Sequence, residues 1–275
     1  MSNPIYPFRL GIQTILPEDY RERAFQQRLE LLQKLGFSGI ELNMVQPERI
    51  DPADLQGMLA NHGLRMTMFA SGATANAEGR SLSHEEEAVR LASVRRCIEL
   101  VDFAAEFDAG IIVGFLKGGP GQDPSRAAGQ FRDSLSRLEP HVRARQIPFL
   151  VEATNHYESP VANSLQDAAD LLQGFENPYL RVLPDTYHMN MEESSMFGAL
   201  VKHAGLYDSL HISDNNRFFP GLGAIDFYGL LRFLKEIGYN GRVAIEGNIR
   251  DSFEEDLGTS MKLLQPMLQL LSEGK

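Results

Sequence analysis

Four polar side chains in the second half of the sequence end, or lie within, short apolar stretches. They are Glu152 in Pro-Phe-Leu-Val-Glu, Asp185 in Arg-Val-Leu-Pro-Asp, His211 in Ser-Leu-His-Ile-Ser and Glu246 in Val-Ala-Ile-Glu. Successive members of this set are 33, 26 and 35 residues apart. If the side chains converged, the three carboxylates would repel and raise one another's pKa values unless a cation lay among them. The set therefore predicts a site for a divalent metal ion.

The ligand types indicate which ions would fit this site. Oxygen ligands with one imidazole nitrogen suit Mn²⁺, Mg²⁺ or Co²⁺ better than a closed structural Zn²⁺ site. Four protein ligands on an octahedral ion leave two positions open, which two adjacent oxygens of a sugar could fill. Each residue alone has a simpler explanation, because a carboxylate at a strand end can cap a helix and a lone histidine can be a core residue. The common spacing favours a shared site.

The elements that must position these residues follow from an alternation of short apolar and longer amphipathic stretches. The longer stretches predict helices, and His84–Phe107 and Asp226–Ile237 carry apolar residues at a period near 3.6. Gly36, Gly63 and Gly238 follow helical segments, where a left-handed cap is expected. The short stretches are four to six residues long and predict buried parallel strands. They are Leu10–Ile15, Gly39–Leu42, Arg65–Phe69, Gly110–Phe115, Pro148–Glu152, Leu180–Asp185, Ser209–Ile212 and Val243–Glu246.

Alternating β-α units form either an open doubly wound sheet or a closed barrel. Eight units of about 34 residues in a chain of 275 favour a single (β/α)₈ TIM barrel over residues 1–275. No Gly-x-Gly-x-x-Gly follows the first strand, so the signature of a dinucleotide-binding fold is missing. In such a barrel the active site lies at the carboxyl ends of the strands. The four polar residues would reach one rim from strands five to eight.

Composition narrows the function classes. Lys and Arg number 26 against 37 Asp and Glu, and this net charge of −11 argues against a nucleic-acid partner. A single cysteine, Cys97, excludes an intramolecular disulfide and a cysteine-cluster metal site. No apolar run approaches 18 residues, so we expect no membrane partner. The first residues lack the charged and apolar regions of a signal peptide, which predicts a cytoplasmic protein.

Longer stretches around the four residues form a specific combination. They are Glu152-Ala-Thr-Asn155-His-Tyr-Glu158, Asp185-Thr-Tyr-His188-Met-Asn190-Met-Glu192-Glu193, His211-Ile-Ser-Asp214-Asn-Asn-Arg217 and Pro220-Gly-Leu-Gly223. These stretches resemble the ketose 3-epimerases, which belong to the xylose-isomerase-like sugar isomerase/epimerase superfamily of barrels. The similarity is to D-tagatose/D-psicose 3-epimerases and, over more of the chain, to an epimerase of keto sugar acids.

The resemblance implies an activity and a set of roles. The activity is inversion of C3 of a ketose or keto sugar acid through an enediolate, with a small sugar as substrate and a homodimer or homotetramer as the assembly. Residues that match the metal ligands of the family are Glu152, Asp185, His211 and Glu246, and the ion would be Mn²⁺, with Mg²⁺ or Co²⁺ as alternatives. Glu152 and Glu246 also match its opposed acid/base pair. Residues that match those holding the substrate's oxygens are Glu158, His188 and Arg217.

Three departures from the family pattern leave the exact sugar open. His156 stands where the epimerases have Arg, and Asn248 stands where ketohexose epimerases have an aromatic residue. The chain has no tryptophan, so an aromatic wall would need Phe or Tyr. An aldose–ketose isomerase or a metal-dependent sugar dehydratase on the same scaffold stays an alternative. A non-catalytic sugar-binding barrel would not need both glutamates, and a zinc-dependent DNA-repair endonuclease would need more than seven His and a basic surface.

Two further polar residues have open interpretations. Glu41 ends the second apolar run, where it is a weaker site candidate that helix capping explains equally well. Lys117-Gly118-Gly119-Pro120-Gly121 could cradle a phosphate or carboxylate after strand four. It lacks the GxxxxGK[ST] pattern, so we interpret it as a flexible connector.

Overall fold

Eight parallel strands form one sheet in the computed structural model, which describes residues 6–273. The strands are β1 (Arg9–Ile15), β2 (Gly39–Asn43), β3 (Arg65–Ala70), β4 (Gly110–Val113), β5 (Phe149–Glu152), β6 (Leu180–Leu183), β7 (Ser209–Ile212) and β8 (Arg242–Ile245). Their order is β6-β5-β4-β3-β2-β1-β8-β7, and every hydrogen-bonded pair is parallel. Because the first strand pairs with the eighth, the sheet curls into a barrel, and the predicted (β/α)₈ fold is confirmed.

The barrel closes between β6 and β7 at the level of two predicted site residues. The backbone N–H of His211 donates to the Pro184 carbonyl over 2.9 Å, and Asp185 forms a parallel bridge with His211. Strand β6 ends at Leu183, two residues earlier than predicted, because Pro184 has no N–H to donate to the ladder. Asp185 instead caps the following helix, with its carboxylate accepting from the backbone N–H of Tyr187 at 2.8 Å.

Helices follow the strands, and the longer ones cover the outside of the barrel with one buried apolar stripe each. Within residues 6–273 they are α1 (Arg23–Lys34), α2 (Pro52–Asn61), α3 (Gly72–Glu78), α4 (Glu87–Ala105), α5 (Pro124–Arg145), α6 (Leu165–Leu172), α7 (Thr186–Glu192), α8 (Met196–Lys202), α9 (Phe227–Glu236) and α10 (Phe253–Ser272). Helix α9 buries Phe227, Leu230 and Leu234, at the spacing of one helical face. Short 3₁₀ turns follow β2 (Pro47–Arg49) and β4 (Phe115–Lys117).

The helix boundaries predicted from sequence differ from the observed ones by up to three residues. Helix α4 starts at Glu87 rather than His84, because the His84 ring nitrogen Nδ1 accepts from the Glu86 N–H and holds a turn there. The left-handed caps are confirmed, with φ values of 83° at Gly36, 66° at Gly63 and 73° at Gly238. Among residues 6–273, no helix combines the length and apolar character that a membrane crossing needs.

Side chains alternate between two packing layers along each strand. Phe149 and Val151 belong to the large core between sheet and helices, whereas Leu150 belongs to a separate buried cluster with Met68, Ile112 and Leu183. Because successive strand residues point to opposite faces, this second cluster fills the barrel interior. The single domain predicted over residues 1–275 stays a prediction, since residues 1–5 and 274–275 lie outside the described part.

Candidate active site

The alternation along the strands aims the predicted metal ligands into the barrel. Leu210 and Ile212 pack outward against helices, so His211 between them points inward. Glu152 has the same orientation as Leu150, two residues earlier. Glu246 follows β8, where its N–H donates to the Ile212 carbonyl over 3.2 Å. As a result, one ligand atom from each of Glu152, Asp185, His211 and Glu246 lies within 4.8 Å of the other three.

The four side chains fit a divalent cation. Asp185 and His211 are fully buried and Glu152 is 6% exposed, so water does little to screen the acidic groups from one another. Among the described residues, Oε1 of Glu152 has no hydrogen-bond partner although it is buried. A buried carboxylate oxygen without a donor is costly, and a cation would satisfy it. Three oxygens and one imidazole nitrogen form a donor set that suits Mn²⁺, Mg²⁺ or Co²⁺.

Arg217 compensates part of the negative charge. Its Nη1 donates to Oδ2 of Asp185 over 2.7 Å, and its Nη2 lies 3.0 Å from Oε1 of Glu246. Gln13, on β1, also donates from Nε2 to Oε1 of Glu246 over 2.6 Å. Burial acts to raise the pKa of Glu246, but the positive charges of Arg217 and His211 hold it well below its usual value. Glu246 is therefore ionised at neutral pH.

Glu152 lies in the opposite electrostatic environment. Burial, followed by the negative charge of Glu246, raises the pKa of Glu152 to about 8. Lys117, in the 3₁₀ turn after β4, is directed at the Glu152 backbone, since its Nζ donates to the Glu152 carbonyl oxygen. At neutral pH Glu152 therefore holds a proton that Glu246 does not.

His188 and Glu158, both predicted to hold substrate oxygens, face the same space through Asn155. The Nδ1 atom of His188 accepts from the Asn155 backbone N–H over 3.1 Å, so its other nitrogen, Nε2, carries the proton of the neutral ring. That Nε2 lies 3.9 Å from Oε1 of Glu152. The Asn155 side-chain amide donates to Oε1 of Glu158 over 2.8 Å. An N–H donor and a carboxylate thus border the four-residue cluster.

A cavity of about 780 Å³ opens above this cluster and continues into a smaller space that reaches Glu152 and His188. Its polar lining includes Gln13, Asn43, Glu158, Asn216, Arg217, Glu246 and Asn248. Its aromatic lining consists of Phe115, Tyr187, Phe219 and Phe253, in a chain without tryptophan. Asn248 lies on this wall, whereas His156 is not among the lining residues and pairs with Oε1 of Glu192 at 2.6 Å. Of the two substituted positions, Asn248 therefore borders the cavity and His156 does not.

Three residues that sequence reasoning undervalued support the cluster. Glu41 is fully buried and its Oε2 lies 2.7 Å from Nε2 of His211, so it is not a helix cap. Lys117 is fully buried, and burial lowers its pKa to about 8. The flexible-connector interpretation is therefore wrong for Lys117. A β-carbon at Gly114 would collide with Oε2 of Glu152. Alternation could have identified Glu41, which stands between the outward-facing Ile40 and Leu42.

Known proteins that are similar to this chain include sugar epimerases. A model of the xylose isomerase-like TIM barrel family matches residues 29–267. A ketose 3-epimerase from Arthrobacter globiformis is 31% identical over 217 residues, which cover 77% of this chain and 73% of that protein. A 3-dehydro-D-guloside 4-epimerase from Escherichia coli strain K12 is 35% identical over 118 residues, which cover 43% of this chain and 45% of that protein.

Solved structures share the fold at lower identity. The D-psicose 3-epimerase of Clostridium cellulolyticum H10, solved with D-tagatose, superposes with a TM-score of 0.81 at 21% identity, covering 95% of this chain and 99% of that one. The 3-keto-D-glucoside 4-epimerase of E. coli superposes with a TM-score of 0.78 at 23% identity, covering 94% and 98%. At these identities the likeness concerns the barrel and not the chemistry.

Proposed function

This chain belongs to the xylose isomerase-like TIM barrel family and is a carbohydrate epimerase, and we propose that it inverts C3 of a ketose or keto sugar acid. The predicted family and the predicted isomerase class are confirmed by the family match and by the named relatives. The observation that carries the finer proposal is the convergence of Glu152 and Glu246. They come from β5 and β8, three strands apart in the ring, and meet beside Asp185 and His211.

The four converging residues would hold the divalent cation, with Mn²⁺ as the proposed ion and Mg²⁺ or Co²⁺ as alternatives. A bound cation supplies positive charge that stabilises negative charge on the oxygens at C2 and C3 of the sugar. Asp185 and His211 lie between Glu152 and Glu246 in chain order, and they form a parallel bridge with Asp185 just after β6 and His211 on β7. In this assignment they hold the ion, and the two glutamates also move protons.

The proton on C3 is acidic only because the neighbouring C2 ketone can take the negative charge. One glutamate carboxylate removes this proton and leaves an enediolate, and the other glutamate donates its proton to the opposite face of C3. The two glutamates differ in proton affinity, because their surroundings raise the pKa of Glu152 and lower that of Glu246. In the reverse reaction the two residues exchange roles.

The neighbouring side chains would orient the sugar. We assign the Nε2–H of His188 to the C2 oxygen, because its Nδ1 is committed to the Asn155 N–H. Arg217 and Glu158 would bind hydroxyl oxygens from the cavity side. His188→Ala should then lower kcat, since it faces developing charge, whereas loss of Arg217 should chiefly raise KM. Parent-like kinetics in both variants would contradict these assignments.

A second candidate function is inversion at C4 of a 3-keto sugar. The 35% identity to a 3-dehydro-D-guloside 4-epimerase favours it. The reaction at C4 would follow the same chemistry, since C4 of a 3-keto sugar is adjacent to the ketone just as C3 of a 2-ketose is. The aldose–ketose isomerase and the dehydratase stay as alternatives on the same scaffold.

Deuterium incorporation distinguishes these reactions. Ketoses, keto sugar acids and 3-keto glycosides are incubated with the Mn²⁺-loaded enzyme in D₂O, and the labelled carbon is located by NMR. We expect deuterium at C3 of a 2-ketose or 2-keto acid. Label at C4 of a 3-keto glycoside supports the second candidate, label at C1 or C2 indicates an isomerase, and loss of water by mass indicates a dehydratase.

The proposed assembly is a homodimer or homotetramer. Phe197 on α8 is 40% exposed and stacks on Phe233 of α9 with ring centroids 4.6 Å apart. Tyr228 on α9 is also 40% exposed. Such exposed aromatic side chains on neighbouring helices support an association surface. Light scattering after size exclusion measures the assembly, and a monomer at micromolar concentration would contradict it.

A further inference from the structure

Glu41 lies in the barrel interior and contacts His211 on the nitrogen that does not face the acidic cluster. Nδ1 of His211 is 2.5 Å from Oε2 of Glu246 and 3.9 Å from Oδ2 of Asp185. Nε2 is instead 2.7 Å from Oε2 of Glu41. Glu41 is fully buried, and among residues 6–273 its Oε1 has no hydrogen-bond partner. Burying a carboxylate with one oxygen unpaired costs folding free energy. The contact between Glu41 and His211 therefore calls for an explanation other than stability.

We propose that Glu41 is a positioning residue that holds the Nε2–H of His211, so that Nδ1 presents its lone pair to the divalent cation. A neutral imidazole has one protonated and one unprotonated nitrogen, and only the unprotonated one can bind a metal ion. A carboxylate on the protonated nitrogen selects that tautomer, fixes the ring orientation and makes the other nitrogen a stronger ligand. This inference rests on the proposed metal site.

Strand register places Glu41 where this role requires it. Gln13 of β1 pairs with Glu41 of β2, and Gln13 in turn donates to Oε1 of Glu246 over 2.6 Å. Two neighbouring positions in the first half of the chain thus each hold one ligand candidate from the second half. The contact from Glu41 to His211 joins residues 170 positions apart, across the barrel interior.

The test measures Mn²⁺ affinity by isothermal titration calorimetry of protein stripped with a chelator. Glu41→Gln keeps the size and one acceptor oxygen but removes the charge, and we expect Mn²⁺ to bind about 10- to 100-fold more weakly. Thr67→Val is the matched control. It removes a buried hydrogen bond from Thr67 Oγ1, on β3, to the carbonyl of Ile40, which precedes Glu41 on β2. The control should lower the melting temperature while the dissociation constant stays at the parent value.

A double-mutant cycle separates positioning from simple charge attraction. If Glu41 acts through the imidazole, Glu41→Gln has no further effect on Mn²⁺ affinity in a His211→Ala background. If it acts only as a nearby negative charge, the full loss persists there and the proposal is wrong. Equal affinity of parent and Glu41→Gln also overturns it. A parent that binds no Mn²⁺ overturns the proposed metal site instead. Should Glu41→Gln not fold, Glu41→Asp, which keeps the charge on a shorter stem, is compared with parent and control in the same way.

Discussion

Glu152 and Glu246 carry the same functional group at one rim of the barrel, yet they lie in opposite surroundings. Glu246 receives hydrogen bonds or ion pairs from Gln13, Arg217 and His211, and its pKa is held well below the usual value. Glu152 has a buried oxygen without a partner among the described residues, and its pKa is raised to about 8. The surroundings, rather than the residue type, therefore set the proton affinity of each carboxyl group before a cation binds.

The loop after β7 produces the environment of Glu246. Arg217 adopts a left-handed backbone conformation with φ of 65°, which costs a non-glycine residue on the order of 1 kcal/mol. Asp214 offsets this cost, because its carboxylate accepts the N–H groups of Gly221, Gly223 and Ile225 over 2.8–2.9 Å. The loop is thereby held in the shape that brings the guanidinium to Glu246.

The turn after β4 produces the environment of Glu152. Lys117 is buried beneath it, but its ammonium group donates to the backbone carbonyl of Glu152 and, over 3.0 Å, to Oγ1 of Thr154. Its charge therefore anchors the main chain and forms no hydrogen bond with the carboxylate. Gly114 leaves the space that the Glu152 carboxylate occupies. The difference between the two sides lies in where each cation is directed.

Removing either carboxylate should have the largest effect. Glu152→Gln and Glu246→Gln should each lower epimerisation by more than the roughly 10²–10⁴-fold typical of general acid–base loss, because each residue also belongs to the metal set. With a substrate of one C3 configuration, one variant should still exchange the C3 proton with solvent without inversion, and the other should do so with the opposite epimer. NMR in D₂O measures both reactions.

A one-base mechanism predicts a different pattern for the same two variants. Only one glutamate would then matter for exchange with both epimers. That result would contradict the opposed pair and leave the metal site unaffected. Parent and variants should also lose activity on chelation and regain it with Mn²⁺ in proportion to their own rates.

A smaller change breaks only the Glu152 side. Gly114→Ala places a methyl group where Oε2 of Glu152 lies, so the carboxylate must move. Because a displacement of about 1 Å can cost on the order of 10²-fold in rate, we expect a loss of this size in kcat. Gly119→Ala in the same loop is the control, since a β-carbon there meets no described atom within 4 Å. Equal kcat for both variants would show that the position of Glu152 is not critical.

Replacing Arg217 should make the Glu246 side resemble the Glu152 side. Arg217→Met removes the cation between Asp185 and Glu246, so the pKa of Glu246 should rise. The variant also loses the hydrogen bonds from the Arg217 guanidinium to the sugar, which should raise KM roughly 10- to 100-fold. The acid limb of kcat/KM against pH, which reports the free enzyme, should move to higher pH. Arg217→Lys keeps the charge without the fork and should shift the limb less. An unmoved limb in Arg217→Met would contradict the role of its charge.

The smallest expected effect is a change in the number of protons released when the metal ion binds. Burial raises the pKa of Glu152 to about 8, and the charges of Glu41 and Glu246 outweigh burial to raise that of His211 well above its usual value. Both groups are then protonated at pH 7 in stripped protein, so Mn²⁺ should displace about two protons. Titration calorimetry in buffers of different ionisation enthalpy measures the count, and Glu152→Gln should lower it by about one. An unchanged count would contradict the raised pKa of Glu152.

The raised pKa values of Glu152 and His211 also predict how the stability of the stripped protein changes with pH. Both folded-state pKa values lie above those of the unfolded chain, so their stabilising contribution is complete at low pH and is lost as the pH rises. For Glu152 the loss runs from about pH 4.3 to about 8. Over this range the melting temperature of the stripped parent should therefore fall relative to that of stripped Glu152→Gln. A difference between the two that does not change with pH would contradict this linkage.

The sequence by itself determined the barrel and the four-residue cluster. Eight apolar runs at a regular period define the strands, and the carboxyl ends of parallel strands meet at one rim. Polar residues that end those runs must therefore lie close together, as Glu152, Asp185, His211 and Glu246 do. This inference needs only periodicity and strand direction, both of which are local properties of the chain.

Only the tertiary structure decided which glutamate of the cluster has the higher pKa and which residues support the cluster. The pairs Glu41–His211 and Lys117–Glu152 join residues 170 and 35 positions apart, and Gly114 serves by the absence of a side chain. Such contacts depend on the register between strands and on the direction of each side chain in the closed barrel. The pKa of a buried carboxyl depends on every charge within a few ångströms, and no spacing along the sequence specifies that set.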